Sequence, residues 1–216
     1  MKSIFIITIM SLFTLITPPK NRVIFFGDSI TQMGVNPGGY IDLIKKQLIL
    51  NNKSTNYELI GKGVGGNKIY DLYLRVPEDV LDLKPQTVVV YIGINDVWHK
   101  TSGTGTDKDK FEKFYRALVS LFQKNNIRVI LCTPTLIGEK LNNENPQDAD
   151  LNEYAEVVRL LAKEKKCELV DLRELCVDYL KLYNQKNADK GVLTTDRVHL
   201  NDAGNLLVAK ALLKII

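Results

Sequence analysis

The sequence predicts an α/β domain: a five-stranded parallel sheet with helices over both faces. Three observations carry this. From Asn21 onward, short apolar runs rich in β-formers alternate with longer stretches of helical periodicity, the pattern of successive βαβ units. The first run, Val23 to Phe26, stops at Gly27-Asp28-Ser29, so a strand ends where a polar turn begins. The chain has 216 residues, 45% hydrophobic and 25% charged, which suits one domain with a full core.

Taken in order, Met1–Thr17 is a different kind of segment. Lys2 precedes an apolar stretch, Ile4 to Ile16, too short to span a bilayer comfortably. A basic start and an apolar middle match an export signal, although a small-x-small cleavage site is missing. The expectation is a leader over residues 1–20, export, no stable membrane span, and a domain over residues 21–216, with Pro18-Pro19 at the boundary. Strands are expected at Val23–Phe26, Tyr57–Ile60, Thr87–Ile92, Arg128–Cys132 and Glu168–Val170. A helix is expected over Tyr40–Leu50 and another near Asp71–Leu83. Four more stretches repeat one apolar spacing: Phe111, Phe114, Leu118, Leu121; Leu151, Tyr154, Val158, Leu161; Leu172, Leu175, Tyr179, Leu182; and Leu206, Ala209, Leu213, Ile216. Each lays one stripe against a sheet. Right-handed crossovers then cover both faces, and five strands suit a flavodoxin-like order. The polar stretches His99–Lys110 and Gly138–Asp150 follow strands three and four, so they rim the sheet edge where Ser29 stands.

The net charge is +4, with the lysines dispersed and no basic run longer than a pair. Nucleic-acid binding needs clustered charge, so no nucleic-acid partner is expected. Cys132, Cys167 and Cys176 lack CxxC spacing, which argues against zinc and thioredoxin-like chemistry. Cys132 lies in an apolar run and Cys167 just before one, which reads as buried thiols; one disulfide stays open.

Four short pieces carry candidate chemistry. Ser29 stands at a strand end, a place for a nucleophile, although serine after glycine is also ordinary turn chemistry. Gly61-Lys62-Gly63-Val64-Gly65-Gly66-Asn67 contains G-x-G-x-x-G. A dinucleotide site is rejected because the motif follows the second strand and no strand ending in an acidic residue lies about 20 residues on. The glycines instead let a bare backbone N–H face the site. Gly93-Ile94-Asn95-Asp96 ends strand three and offers a carboxamide donor, or simply a turn. Asp196-Arg197-Val198-His199 sets a carboxylate three residues before one of only two histidines, close enough to hold the imidazole by its other nitrogen. Asn201 is placed to cap the last helix.

Together these supply a nucleophile, oxyanion donors, an orienting acid and a base. In this combination the sequence resembles the SGNH hydrolases, also called GDSL-type esterases and lipases. Gly27-Asp28-Ser29, Gly63-x-x-Gly66-Asn67, Gly93-x-Asn95-Asp96 and Asp196-x-x-His199 look like that family's four blocks, in family order. Gly61 departs from the pattern, standing where many members have an asparagine. The resemblance implies a three-layer α/β/α sandwich and ester hydrolysis by Ser29, His199 and Asp196. It implies an oxyanion hole from the Ser29 and Gly66 N–H groups and the Asn95 side chain, with no metal or cofactor. Asp28, Trp98 and His99 are expected to touch substrate, and Trp98 or Tyr40 to stack on a sugar ring. The rim loops are polar, with Leu141 the only large apolar residue of Gly138–Asp150. No apolar lid for a long acyl chain is expected, and the favoured substrate is a short-acyl, acetyl ester of a carbohydrate. The alternatives are a lipase or lysophospholipase, an α/β-hydrolase, whose G-x-S-x-G is absent around Ser29, and a flavodoxin-like binding domain without chemistry.

Overall fold

The computed structural model describes residues 20–216, so the leader expected over Met1–Thr17 lies outside the described residues. Five strands, β1 (Asn21–Gly27), β2 (Tyr57–Gly63), β3 (Thr87–Tyr91), β4 (Arg128–Cys132) and β5 (Glu168–Val170), form one parallel sheet in the order β2-β1-β3-β4-β5. This is the flavodoxin-like order. The helices are α1 (Ser29–Gly34), α2 (Tyr40–Leu50), α3 (Ile69–Leu74), α4 (Ile94–Trp98), α5 (Lys108–Lys124), α6 (Asp148–Lys165), α7 (Leu172–Tyr183) and α8 (Asp202–Leu213).

The chain runs from β1 to β2 in one direction across the sheet and from β3 to β5 in the other. Right-handed crossovers therefore put α2 on one face and the crossover helices α3, α5 and α6 on the other, and α7 and α8, after β5, join α2. Accordingly α2 packs on α8, and α8 on α7, while α3 packs on α5, and α5 on α6. This is the three-layer sandwich. Every residue of β3 is buried, as is β1 from Val23 onward, because helices cover both faces. Each buried Val, Ile or Phe there contributes roughly 1.5–3 kcal/mol. All three cysteines are free thiols, with Cys132 and Cys176 buried. Among the described residues, no helix is long and apolar enough to cross a membrane.

Three helices differ from expectation, each for a local reason. The single helix near Asp71–Leu83 is two pieces, α3 and a wide turn at Pro77–Leu81. Pro77 offers no N–H to continue the ladder. In α7 the buried face is Leu172, Arg173, Cys176 and Leu180, leaving Leu175 and Leu182 exposed. The face is set by Arg173, whose guanidinium is buried against Asp148 at 2.8 Å, and a hydrophobic count assigns an arginine to the outside. In α8, Val208, Ala209 and Leu212 face inward, Leu206 is exposed and Ile216 lies past the helix end. That helix is apolar nearly all round, so periodicity alone does not choose its face. The inward stripe of α5 also takes in Tyr115 and Phe122, with Phe114 and Leu121 at its margins.

Register places the motifs. Gly27 pairs with Gly63 on one side and with Tyr91 on the other. The turns after β1, β2 and β3 therefore leave the sheet at one level, at its C-terminal edge.

Candidate active site

Gly27 ends β1 and Ser29 begins α1, with Asp28 alone between them. Asp28 makes that abrupt change possible. Its carboxylate accepts the Ile30 N–H at 3.0 Å and caps the helix. The cap corrects the expectation that Asp28 touches substrate: the residue is 2% exposed and turned back into the protein. Burial pushes its pKa up to about 7, opposed by the Ile30 N–H and raised further by the nearby Asp96. Tyr40 is corrected too. It is fully buried, edge-on to Phe25 and Tyr91, with its hydroxyl 3.0 Å from Thr31 Oγ1.

The partner of Ser29 comes from the other end of the chain. The segment before α8 folds back on itself through the Gly191 N–H to Thr194 O, Thr195 N–H to His199 O and Asn201 N–H to Leu193 O bonds, with a bridge between Thr194 and Leu200. The Asn201 side chain accepts the Gly204 N–H and caps α8, as its position in the sequence implies. This closed loop presents His199 with Nε2 2.9 Å from Ser29 Oγ. Its Nδ1 lies 2.6 Å from Asp196 Oδ2. Asp196 Oδ1 accepts the backbone N–H of His199 at 2.8 Å and of Val198 at 3.1 Å. Burial works to raise the Asp196 pKa, but the His199 ring and these two amides outweigh it and hold the carboxylate below its usual range. Asp196 is thus an anion beside the imidazole, and protonates only as pH falls below the ordinary carboxylate range.

Opposite Ser29 lies the β2–α3 loop. Gly63 packs so closely on α1 that a Cβ there would sit 2.0 Å from Gln32 N. Gly66 is required for a different reason: its φ is +77°, and the space a Cβ would enter is empty. A glycine takes this left-handed backbone at no steric cost, so the turn beside the nucleophile is built on Gly66. Asn95, in the first turn of α4, is 3% exposed and donates Nδ2–H to Asn67 O at 3.1 Å. The neighbouring Asp96 accepts the Ile69 N–H, and burial raises its pKa to about 6.

One supporting residue escaped the sequence reading. Arg75, just after α3, donates to Gly27 O at 2.7 Å, to Lys62 O at 3.0 Å and to Asn67 Oδ1 at 2.8 Å, and stacks 4.4 Å over the Phe26 ring. It ties the ends of β1 and β2 to the loop of Gly66. Gly61, the departure noted in the sequence, lies within β2 paired to Phe25, and Arg75 holds the loop that follows. The only sequence signal was an arginine within a largely apolar stretch, Ile69–Val76, whose other charged residue is Asp71.

Trp98 and His99 do reach this edge. The Trp98 ring stands edge-on to His199, with centroids 6.3 Å apart, and His99 leans on Trp98 at 5.6 Å. Partial burial and the nearby Lys68 charge lower the His99 pKa. Beyond Trp98 opens a cavity of about 270 Å³ lined by Thr101, Ile137, Gln147, Asp196 and Arg197. The polar stretch after Trp98 is held: His99–Ser102 is a short 3₁₀ turn, and the Thr106 N–H returns to Asp96 O at 2.9 Å.

Comparison with known proteins gives the family. The profile of the GDSL-like lipase/acylhydrolase family matches residues 25–207. The acetylxylan esterase of Geobacillus stearothermophilus is 31% identical over 212 residues, covering 90% of this chain and 93% of its own. An isoamyl acetate-hydrolysing esterase of Schizosaccharomyces pombe is 25% identical over 87% of this chain and 72% of its own. The crystal structure of the acetyl xylan esterase AlAXEase shares 55% identity with a TM-score of 0.89, covering 90% of this chain and all of its own. The Geobacillus enzyme Axe2 superposes with a TM-score of 0.78 at 31% identity, covering 90% of this chain and 93% of its own. Two solved variants of Axe2, one with a serine and one with a histidine replaced by alanine, are described as catalytic mutants. The chain is an ester hydrolase and belongs to the GDSL-like lipase/acylhydrolase family.

Proposed function

We propose that this enzyme removes acetyl groups from carbohydrates by a serine mechanism. The observation that carries the chemistry is the unbroken line from Ser29 Oγ through both ring nitrogens of His199 to Asp196, with contacts of 2.9 and 2.6 Å. Ser29 Oγ attacks the acetyl carbonyl while its proton passes to His199 Nε2. Negative charge collects on the carbonyl oxygen, where the Ser29 and Gly66 N–H groups and the free N–H of Asn95 Nδ2 receive it. His199 returns the proton to the sugar oxygen as its bond to the acetyl carbon breaks. Water, deprotonated by the same nitrogen, then splits acetyl-Ser29 into acetate and free enzyme. Asp196 holds the ring in the right tautomer and faces the imidazolium charge.

The leaving alcohol has to stand beside His199, because His199 protonates it. Trp98 borders that side, and the cavity behind it mixes Ile137, Pro146 and Val198 with Thr101, Gln147 and Arg197. We assign the sugar to this space, with Trp98 as its stacking platform and His99 at the rim. The acetylxylan activity of two relatives and the polar rim favour this over a long-chain lipase. The apolar leader, Met1–Thr17, fits export toward extracellular glycans.

The test is a chain-length series of p-nitrophenyl esters beside acetate release from acetylated xylan. Rates are expected to fall beyond short acyl groups, with acetate released from the glycan. Rates that climb from acetate to laurate with no acetate released would replace this reading with a lipase or lysophospholipase. The oxyanion hole is tested separately. Asn95→Ala should lower kcat about 10²–10³-fold and leave KM nearly unchanged, because the bond forms mainly in the transition state. An unchanged kcat would return Asn95 to the role of a turn residue.

A further inference from the structure

Glu139 lies in the loop after β4 and is fully buried. Its carboxylate reaches across to the loop that carries Asp196 and His199. Oε1 accepts the Leu193 N–H at 2.8 Å, the Thr194 N–H at 2.5 Å and the Thr194 hydroxyl at 2.6 Å. Oε2 accepts the Val192 N–H at 2.7 Å. Three successive backbone amides and one hydroxyl thus converge on a single anion, and hydrogen bonds to a charged acceptor are about twice as strong as neutral ones.

The same loop grips the other side of Asp196. The Gly138 N–H donates to Arg197 O at 2.8 Å, and the Glu139 N–H to Asp189 O at 3.0 Å. Arg197 sits between the acid and the base with φ +93°, a conformation a side-chain-bearing residue adopts only when its surroundings impose it. The Gly138 bond and an ion pair to Asp189 at 3.1 Å are two such surroundings. Thr194, bonded twice to Glu139, is two residues from Asp196. Its neighbour Thr195 donates to His199 O at 2.8 Å. A shift of residues 192–194 therefore moves both catalytic side chains relative to Ser29, which is anchored separately by the sheet.

We propose that Glu139 is a positioning residue of the hydrolytic reaction. It clamps the acid–base loop so that His199 meets Ser29 at bonding distance. This rests on the Ser29–His199–Asp196 mechanism above. Glu139→Gln tests it, since one carboxamide edge must then point N–H groups at N–H donors, and part of the clamp is lost.

With p-nitrophenyl acetate as substrate, Glu139→Gln should lower kcat roughly 10²-fold, the scale set by a misplacement of about 1 Å, with KM unchanged. The downfield proton resonance of His199 Nδ1 should move toward the position of an ordinary imidazole N–H. Thr194→Val removes one donor, keeps the carboxylate, and should act in the same direction more weakly. A folded Glu139→Gln protein with wild-type kcat, or one whose stability falls while kcat and the Nδ1 resonance stay put, would overturn the proposal. If Glu139→Gln does not fold, an unchanged kcat in Thr194→Val overturns it. Ser29→Ala measured alongside separates the two ideas: an active Ser29→Ala protein removes the mechanism itself, whereas an inactive one beside a fully active Glu139→Gln removes only the clamp.

Discussion

Ser29→Ala is expected to fold normally and to lose esterase activity by about 10⁶-fold in kcat, the scale found when a triad nucleophile is removed. Folding should survive because, among the described residues, Ser29 Oγ bonds only His199, while the turn is held by Asp28, Gly27 and Arg75. Residual turnover above background should remain if the proposed donors, Gly66 and Asn95, stabilise an oxyanion formed by water. A fluorophosphonate probe gives an independent readout. It should label the wild-type protein once, at Ser29, and leave the variant unlabelled. Retained activity on any ester the wild type cleaves would remove Ser29 from the mechanism, and a labelled variant would point to another nucleophile.

Much of this site was legible because each block is a local statement. A strand run cut short by Gly27-Asp28-Ser29 implies a turn, and Asp196 three residues before His199 implies reach. That the pieces share one edge follows from topology: a parallel sheet sends the turns after β1, β2 and β3 to the same end, and Gly27, Gly63 and Tyr91 stand in register. The residues that join the blocks were not legible. Arg75 and Glu139 act at sequence separations of 48 and about 54, and nothing adjacent to either announces its partner. Asp28 shows the opposite error. It adjoins the nucleophile in sequence, but a helix starting at once after a strand needs a cap, and the carboxylate is used there. Tyr40 was placed near the site by residue type, yet its ring is buried edge-on against Phe25 and Tyr91 of the sheet. The inward faces of α7 and α8 needed tertiary knowledge, because a buried Arg173 and an all-round apolar helix both defeat periodicity.

His199→Ala is expected to be as damaging as Ser29→Ala, and the two together no worse than either alone. Neither residue does its work without the other: an unassisted hydroxyl is a weak nucleophile, and an imidazole without Ser29 has nothing to activate. Asp196→Asn should lose about 10⁴-fold in kcat for a subtler reason. The ring now donates Nδ1–H to Asp196 Oδ2 at 2.6 Å, leaving Nε2 bare to accept the Ser29 proton. An amide that turns its NH₂ toward Nδ1 reverses this, puts the proton on Nε2 and blocks the base. The same substitution takes away the anion opposite the imidazolium. Because Asp196 Oδ1 also accepts the Val198 and His199 amides, the variant should keep its loop through the remaining oxygen only if the amide flips, which exposes the wrong edge to the ring. His99 serves as the control. It lies on Trp98 at the rim, outside the Ser29–His199–Asp196 line, so His99→Ala should change mainly KM. Steady-state kinetics on p-nitrophenyl acetate with the four variants decides the matter: an inactive His99→Ala beside an active His199→Ala would transfer the base to the other histidine and leave Asp196 without a catalytic role.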